Sequence, residues 1–316
     1  MPLLGIDLGA TKVTFAIFSE EGTLLSKETF FLDKRRGIEV GLFICTGIGN
    51  IIRSYLDKQE SINSIGISVP GIFHSGRGTV WAPNIPEWED YPLLDEVKKT
   101  AGKISVTIDS DRACCILGEI WKGNARGCRD AVFLLVGTGI GAGILINGEI
   151  LRGHHDIAGA IGWMALRTPF ENKYRSCGCF EYHASGEGIA KMTREYLREQ
   201  KEYKGELRNK PAEEISSYDV FTARENNDPL AVRIIDECVG FWGMAVANIV
   251  SLFNPEKIIL GGGVFGPGIR FIQDISKETE KWAQPVSIKQ VCIEASALSG
   301  DAGVYGAGYL ALINKR

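Results

Sequence analysis

The chain has 316 residues, of which 45% are hydrophobic and 23% charged, and it carries a formal net charge of −4 at pH 7. These values predict a globular protein of about two domains. No long basic run and no apolar stretch of about 18 residues is present, which argues against nucleic-acid and membrane partners. The start lacks the pattern of a signal peptide, and eight cysteines at this length predict reduced thiols in the cytoplasm.

Apolar runs and turn residues predict alternating strands and helices along the chain. In the first part, strands are predicted at 3–8, 13–18, 23–25, 64–69 and 104–109, and helices at 39–58 and near 112–122. In the second part, strands are predicted at 131–137, 143–147, 257–260 and 291–295, and helices near 186–200, 229–253, 268–282 and 301–313. Segments 72–95 and 201–226 are predicted to be loops. The alternation predicts the α/β class, and we expect two copies of one fold with a boundary near residue 110.

Glycine-rich turns follow the first strand of each predicted half. In the first turn, a strand delivers Asp7 to its end, and Gly9 and Thr11 follow within GIDLGATK at 5–12. Small residues let backbone N–H groups approach an anion, and a carboxylate suits hydrated Mg²⁺. The turn at 137–143 repeats this device after a second buried strand. Two such turns favour a site in which both turns bind one polyphosphate, one from each half. The alternative is that they are two ordinary glycine hairpins.

Two further segments follow predicted strands. The glycines at 261–263 come directly after KIIL and predict a flat platform for adenine and ribose, the alternative being a turn before a helix. A Rossmann site is disfavoured, because the glycines at 137–143 lie between two strands and do not open a helix. Asp109 and Asp111 close the strand ISVTID, where a general base for a hydroxyl would be placed. The alternative for either residue is the N-cap of the next helix, and we interpret Asp109 as the structural one.

Eight segments, in the same order, resemble motifs of the ROK family of sugar kinases. They are GIDLGATK (5–12), SVPG (68–71), APN with Trp88 (82–88), DSDRACCILGE (109–119), GTGIGAG (137–143), GCFEYHASG (178–186), NPEKIILGGG (254–263) and GDAGVYGAG (300–308). The resemblance implies an α/β, two-domain actin-like ATPase (ribonuclease H-like) fold with the active-site cleft between the domains. It implies a smaller first domain of residues 1–109 plus 300–316, a larger second domain of residues 110–299, and a homodimer.

The resemblance also implies ATP-dependent phosphorylation of a sugar-like hydroxyl. Asp111 would be the general base, and Asp7 would hold Mg²⁺ through water. The residues implied for ATP are Asp7, Gly9, Thr11, Lys12, Gly137, Thr138, Gly139, Gly261, Gly262 and Gly263. The residues implied or predicted for the acceptor are Pro70, Gly71, Asn84, Ser110, Trp163 and Glu181. Phosphoryl transfer needs mostly positioning and charge stabilisation, which such a set supplies.

Departures from the family pattern concern the acceptor. Family hexose kinases have Glu-x-Gly-His where this chain has Ala160 and Trp163 at the two ends. Hydrogen bonds to a charged group contribute about 1.5–3 kcal/mol each. Their loss predicts an acceptor other than plain glucose, such as an amino sugar, a deoxy sugar or a cyclitol. His154, His155 and Asp156 either replace the missing polar contacts or lie in a solvated loop.

The family's zinc-binding loop is reduced here to Cys177 and Cys179. His183, together with His154 or His155, would complete a tetrahedral set of four ligands, but in no recognised spacing. We therefore predict that structural zinc is absent and that these thiols are packed or lie in a loop.

Two functions stay open at this point. One is an active kinase, and the other is a non-catalytic sugar-binding sensor or regulatory protein of the same fold. A DNA-binding repressor is not expected, because the first strand follows Met1 almost directly. An ATP-coupled screen of acceptors separates the two functions, because a sensor transfers no phosphoryl group.

Overall fold

Two five-stranded mixed sheets organise the chain, each in its own unit, in a computed structural model that describes residues 2–314. The first unit runs from the start of the described residues to Gly127, includes Ile150–Ala158 and resumes at Asp301. The second unit consists of Cys128–Glu149 and Gly159–Gly300. Residues 1, 315 and 316 of the predicted first domain lie outside the described residues.

The first sheet has the strand order β3-β2-β1-β4-β7. Its strands are β1 (Leu3–Leu8), β2 (Lys12–Phe18), β3 (Leu24–Phe31), β4 (Ser64–Val69) and β7 (Ser105–Ser110). Strand β1 is antiparallel to β2 and parallel to β4, and β4 is parallel to β7. The same unit holds the hairpin β5 (Ile72–His74) and β6 (Thr79–Trp81) and the helices α1 (Ile38–Leu56), α2 (Leu93–Ala101), α3 (Asp111–Lys122) and α9 (Ala302–Ile313).

Close packing of α9 explains the small residues at the end of the chain. A Cβ atom at Gly306 would lie 1.7 Å from the carbonyl oxygen of Cys114 in α3. On the sheet side, a Cβ atom at Gly66 in β4 would lie 2.0 Å from the carbonyl oxygen of Ala307. Real Cβ contacts do not approach so closely, so glycine is required for α9 to lie against both the sheet and α3.

The second sheet repeats the pattern with the order β10-β9-β8-β11-β12. Its strands are β8 (Ala131–Val136), β9 (Ile140–Ile146), β10 (Glu149–Ile150), β11 (Lys257–Gly261) and β12 (Cys292–Ala295). The helices of this unit are α4 (Cys179–Ala184), α5 (Gly186–Glu199), α6 (Ser217–Glu225), α7 (Pro229–Phe253) and α8 (Ile272–Trp282). Strand β8 is antiparallel to β9 and parallel to β11, as β1 is to β2 and β4. The prediction of an α/β protein with two copies of one strand arrangement is therefore confirmed.

Three local predictions were wrong. The segment 72–95 contains the β5–β6 hairpin and the start of α2, whose buried Leu93, Val97 and Ala101 follow helical spacing. The segment 201–226 contains α6, which begins after a capping box between Ser216 and Asp219. The turn predicted over residues 137–143 is shorter, because β9 already begins at residue 140.

The first unit extends beyond the boundary predicted at 109, and it resumes at Asp301, one residue after the predicted 300. Helix α3 belongs to it because α3 packs along α9. Segment 150–158 belongs to it because Arg152 binds the carboxylate of Asp109, and Asp156 accepts hydrogen bonds from the backbone and hydroxyl of Ser75 at 3.0–3.2 Å. No helix within residues 2–314 is long and apolar enough to cross a membrane.

Candidate active site

The carboxyl ends of β1, β4 and β7 lie at one edge of the first sheet, because these neighbouring strands are parallel. Asp7 lies near the end of β1, Gly71 follows β4, and Asp111 follows β7. Ser68 of β4 is in register with Asp7 on one side and with Asp109 on the other. In open α/β sheets, this edge is where ligands bind. The topology therefore gathers one carboxylate, one glycine turn and a second carboxylate in a row.

Asp109 is not the N-cap of the next helix, because Ser110 has that position, but both of its carboxylate oxygens have partners within the protein. Its side chain is buried, and one carboxylate oxygen accepts two hydrogen bonds from the guanidinium of Arg152, at 3.0 and 2.6 Å. The other oxygen accepts the backbone N–H of Ser110 at 2.8 Å. Both oxygens are thus bound by groups of the protein.

Asp111 has a different environment. The N-cap of α3 is Ser110, whose hydroxyl accepts the N–H of Ala113 at 3.3 Å, so Asp111 does not have the capping role. One Asp111 oxygen accepts the backbone N–H of Arg112 at 2.8 Å. Burial raises the pKa of Asp111 from 3.8 to about 6, although the charge of Arg112 lowers it. Such a carboxylate is ionised at neutral pH and is a stronger base than an ordinary aspartate, as a general base requires.

Asp7 fits a hydrated magnesium ion. Among the described residues it forms no ion pair, and burial raises its pKa. A side chain at Gly303 of α9 would lie 2.8 Å from the Asp7 carboxylate, so glycine keeps the space beside it open. The Ser68 hydroxyl next to it in register is buried and lowers the pKa of Asp7, against the effect of burial. A carboxylate with a neighbouring hydroxyl offers the oxygen ligands that Mg²⁺ and its waters prefer.

The residues predicted for the acceptor in the first unit differ in placement. Gly71 has φ 108°, and a Cβ atom there would lie 2.2 Å from the carbonyl oxygen of Trp81, so glycine is required. Pro70 is half-buried at the same turn, and Asn84 is exposed. Ser110 is buried and uses its hydroxyl as the helix cap, which gives it a structural role that the sequence did not indicate.

Each of the two glycine-rich turns joins the antiparallel strands that open its sheet. In the first turn, the N–H of Gly9 donates to the carbonyl oxygen of Lys12 at 2.8 Å, and Thr11 and Lys12 are exposed. In the second, the N–H of Gly137 donates to the carbonyl of Gly139 at 2.9 Å. The turns thus occupy equivalent positions in the two units.

A cavity of about 380 Å³ opens beside the second turn, within the second unit. Gly137 and Thr138 line it from the turn, and Gly263 lines it from the end of β11. Helix α5 and segment 213–218 form the other walls. The N–H of Gly186, the first residue of α5, donates to the carbonyl of Gly137 at 2.8 Å. The positive end of a helix dipole at this turn favours an anionic ligand. Charged side chains of both signs line the other walls, namely Arg194, Glu187, Glu213 and Glu214.

Segment 213–218 was missed as part of this cavity, because it lies in the predicted loop 201–226. Its ordering comes from Arg194 of α5, whose guanidinium donates to the carbonyl oxygens of Ala212 and Ile215 at 3.2 and 3.0 Å. The only local signal in the sequence was the capping box that begins at Ser216.

The three glycines after β11 do not share one role. A Cβ atom at Gly261 would lie 2.3 Å from the ring of Phe133, and one at Gly262 would lie 2.4 Å from the carbonyl oxygen of Val136. Packing therefore accounts for these two glycines. Gly263 is exposed, and a Cβ atom there would meet only the Tyr218 hydroxyl, at 3.5 Å. Of the three glycines predicted to form a platform for the nucleoside, Gly263 is the one that lines the cavity.

Two predicted acceptor residues lie in the second unit. The Glu181 carboxylate accepts the N–H of Ile140 at 2.7 Å, and burial raises its pKa. A Cβ atom at Gly139 would lie 2.7 Å from this carboxylate, so Glu181 lies directly against the second turn. Trp163 is 56% exposed. Its indole face is available to a ligand.

The reduced cysteine loop adjoins, along the chain, a buried cluster of aromatic rings and one histidine. His183 is buried, one ring nitrogen lies 3.0 Å from the Tyr174 hydroxyl, and its ring stacks on Phe241 at 4.4 Å. Burial lowers the pKa of His183 to about 4. Cys177 is half-buried and Cys179 is buried. Within residues 2–314, no group of three or more His, Cys, Asp or Glu side chains is arranged to hold a metal ion.

The three polar residues before Ala160 lie in the first unit. His154 and His155 are exposed and their rings lie 4.6 Å apart in an edge-to-face contact. Asp156 is the residue bound by Ser75, so it anchors segment 150–158 to its own unit.

A family profile, related sequences and solved structures all match this chain to proteins of the ROK family. The profile of the ROK family matches residues 3–314. A glucokinase from Halalkalibacterium halodurans is 32% identical over 97% of this chain and 94% of that protein. A xylose repressor from Caldicellulosiruptor bescii is 28% identical over 96% of this chain and 76% of that protein. The crystal structure of a ROK family glucokinase from Streptomyces griseus in complex with glucose and AMPPNP has a TM-score of 0.80 and 27% identity, covering 98% of this chain and 99% of that chain. The likeness confirms the predicted actin-like ATPase fold.

Proposed function

This chain belongs to the ROK family and is a carbohydrate kinase, and on that basis we propose that it transfers the γ-phosphoryl group of ATP to a hydroxyl of a sugar-like acceptor with Asp111 as the general base. The observation that carries the proposal is the contrast between two aspartates. Asp109 is saturated by Arg152 and Ser110, whereas Asp111 makes one backbone hydrogen bond and has a raised pKa.

In the proposed step, one phosphoryl group moves from ATP to the acceptor hydroxyl. The acceptor oxygen forms a bond to the γ-phosphorus, and the bond from that phosphorus to the bridging oxygen of ADP breaks. The hydroxyl proton passes to the Asp111 carboxylate, which later releases it to water. Because this transition state is largely positional and electrostatic, one base of suitable pKa is sufficient.

Asp7 is proposed to hold Mg²⁺ through water, with Ser68 and the space beside Gly303 completing the surroundings. When bound, Mg²⁺ neutralises phosphate charge. Asp7 itself orients the hydrated ion from the end of β1.

The nucleotide is proposed to occupy the cavity of the second unit. Gly137 and Thr138 would contact phosphate oxygens, and Gly263 would leave room for the nucleoside. The volume of about 380 Å³ lies in the range of small-molecule sites, about 300–1,000 Å³. The Streptomyces griseus glucokinase, whose crystal structure is a complex with glucose and the ATP analogue AMPPNP, supports a nucleotide as ligand of this chain.

We propose further that the acceptor is not plain glucose, because the exposed Trp163 presents an apolar face where polar sugar contacts were expected. A sugar sensor without catalysis is the second candidate, and the similarity to a xylose repressor favours it. A homodimer and a cytoplasmic location stay predictions.

The test measures ADP release from ATP and Mg²⁺ with a panel of hexoses, amino sugars, deoxy sugars and cyclitols. We expect at least one acceptor to be turned over faster than glucose and Asp111→Asn to abolish that turnover. Glucose as the best acceptor would refute the altered specificity. Sugar binding without ADP release from any acceptor would instead establish the sensor.

A further inference from the structure

Arg112 is a charged residue that the proposed mechanism does not fully use. It follows Asp111 in the first turn of α3 and is half-buried. One terminal nitrogen of its guanidinium donates to the carbonyl oxygen of Gly71 at 3.1 Å. Its Nε–H group is buried and has no hydrogen-bond partner, and among residues 2–314 the guanidinium forms no ion pair with a carboxylate.

The contrast with other arginines of the chain shows what Arg112 lacks. Arg152 binds the carboxylate of Asp109 at 2.6 Å, and Arg194 binds the carboxylate of Glu187 at 3.2 Å. Withdrawing a guanidinium from water without a counter-ion is costly, because burial disfavours an unpaired charge. The charge of Arg112 acts on the neighbouring Asp111, whose pKa it lowers, but no group among residues 2–314 accepts its Nε–H. That buried donor is therefore available to an oxygen atom of an anion that the protein does not itself supply.

The position of Arg112 indicates which anion this is. Its guanidinium is tied to the turn after β4, and its backbone N–H binds the carboxylate of Asp111 at 2.8 Å. The side chain thus lies between the base and the Gly71 turn, the side of the sheet edge assigned to the acceptor. An acceptor whose hydroxyl meets Asp111 would present a neighbouring substituent to Arg112.

We propose that Arg112 binds an oxyanion substituent of the acceptor, a carboxylate or a phosphate, so that the substrate class of this kinase is acidic sugars. The proposal rests on the proposed function, because it names the acceptor of the same site. Arginine suits this task because its donors are arranged in a rigid planar fork that matches a carboxylate or phosphate, and only one of them is used by Gly71. A neutral sugar would leave the buried Nε–H of Arg112 without the anionic oxygen that such a donor binds best.

The experiment compares acceptors in pairs. Each neutral hexose is assayed beside its uronate, its aldonate and its monophosphates, so that the anion is tried at several ring positions, and ADP release is checked by the mass of the product. We expect kcat/KM for at least one anionic acceptor to exceed that of its neutral counterpart by about tenfold or more, the range of charge-assisted hydrogen bonds. The carboxylate and phosphate arms identify which oxyanion is bound.

Variants test the assignment to Arg112. Arg112→Gln removes the charge and Arg112→Lys keeps it without the fork; both should reduce the ratio of anionic to neutral kcat/KM by about tenfold. Arg53→Gln, which removes an exposed arginine of α1 that contacts Asn50, is the matched control and should leave the ratio unchanged. The ratio of anionic to neutral kcat/KM is measured with wild-type protein, so it tests the proposal even if an Arg112 variant fails to fold.

Three results overturn the inference. If neutral sugars are phosphorylated and no anionic partner is preferred, the anion site is wrong and the kinase assignment stands. If Arg112→Gln lowers kcat equally for all acceptors, Arg112 positions the base and does not bind an anionic substituent of the acceptor. If no acceptor of either kind is phosphorylated, the proposed function fails together with the inference.

Discussion

Replacing Asp111 by Asn should abolish activity and stabilise the protein at the same time. Burial raises the pKa of this carboxyl from 3.8 to about 6. The unfolded chain therefore loses this proton at a lower pH than the folded chain. The folded state bears no cost below about pH 4, a growing cost between about pH 4 and 6, and the full cost above pH 6. The difference between the two pKa values corresponds to about 3 kcal/mol at pH 7.

Asparagine removes this cost, because it has a similar shape and no charge. We therefore expect Asp111→Asn to raise the free energy of unfolding at pH 7 by up to about 3 kcal/mol, with no gain at pH 4. Loss of a general base should lower kcat by about 10²–10⁴-fold. Urea unfolding at the two pH values and an ADP-release assay measure both effects.

The matched control is Asp109→Asn, two residues away. It leaves the Arg152 guanidinium without its carboxylate, so it should destabilise the protein at pH 7. We therefore expect the free energy of unfolding at pH 7 to rise in Asp111→Asn and to fall in Asp109→Asn. If Asp111→Asn destabilises the protein at pH 7, or retains wild-type turnover, the reasoning about this site is wrong.

Four further predictions follow from particular contacts. In wild type, kcat/KM should rise with pH through about 6 and be about tenfold lower at pH 5 than at pH 8, because only the ionised Asp111 accepts a proton; a flat profile would contradict this. Gly306→Ala should cost more than the about 1–3 kcal/mol typical of overpacking, since its Cβ would lie 1.7 Å from a backbone oxygen. Its control, Gly240→Ala in α7, meets no atom within 4 Å and should gain up to about 1 kcal/mol in urea unfolding. Gly263→Val should raise the KM for ATP several-fold and leave the KM for the acceptor unchanged. A raised KM for the acceptor with an unchanged KM for ATP would contradict the placement of the nucleotide in the second-unit cavity. Because burial lowers the pKa of His183 from 6.5 to about 4, the free energy of unfolding should fall by up to about 3 kcal/mol as the pH drops from 6.5 to 4, and His183→Gln should lose that part of the pH dependence.

The elements that carry the site were predictable because their signals are local. The strands ending at Asp7 and before Asp111 are short apolar runs followed by small or polar residues, and the two turns repeat that pattern. Apolar periodicity and chain order were enough for these parts. Asp109, which the sequence offered as a helix N-cap, is instead bound by Arg152, which lies 43 residues away.

What could not be predicted depends on contacts between distant segments. Gly261 appeared equivalent to Gly263 in the sequence, and only the ring of Phe133 on the neighbouring strand distinguishes them. The cavity wall at 213–218 has a polar sequence typical of a solvated loop, and it is ordered by Arg194 from another helix. The unpaired state of Arg112 likewise becomes visible only when its surroundings are known.

The most direct test of the central claim follows the labelled γ-phosphoryl group of ATP into the acceptor. Purified wild-type protein, ATP labelled at the γ-phosphorus, Mg²⁺ and the full acceptor panel are incubated beside the Asp111→Asn variant. We predict a labelled, singly phosphorylated sugar with wild type and none above background with the variant. No labelled sugar with wild type, or equal labelling with both proteins, would contradict the assignment of a carbohydrate kinase that uses Asp111 as its base.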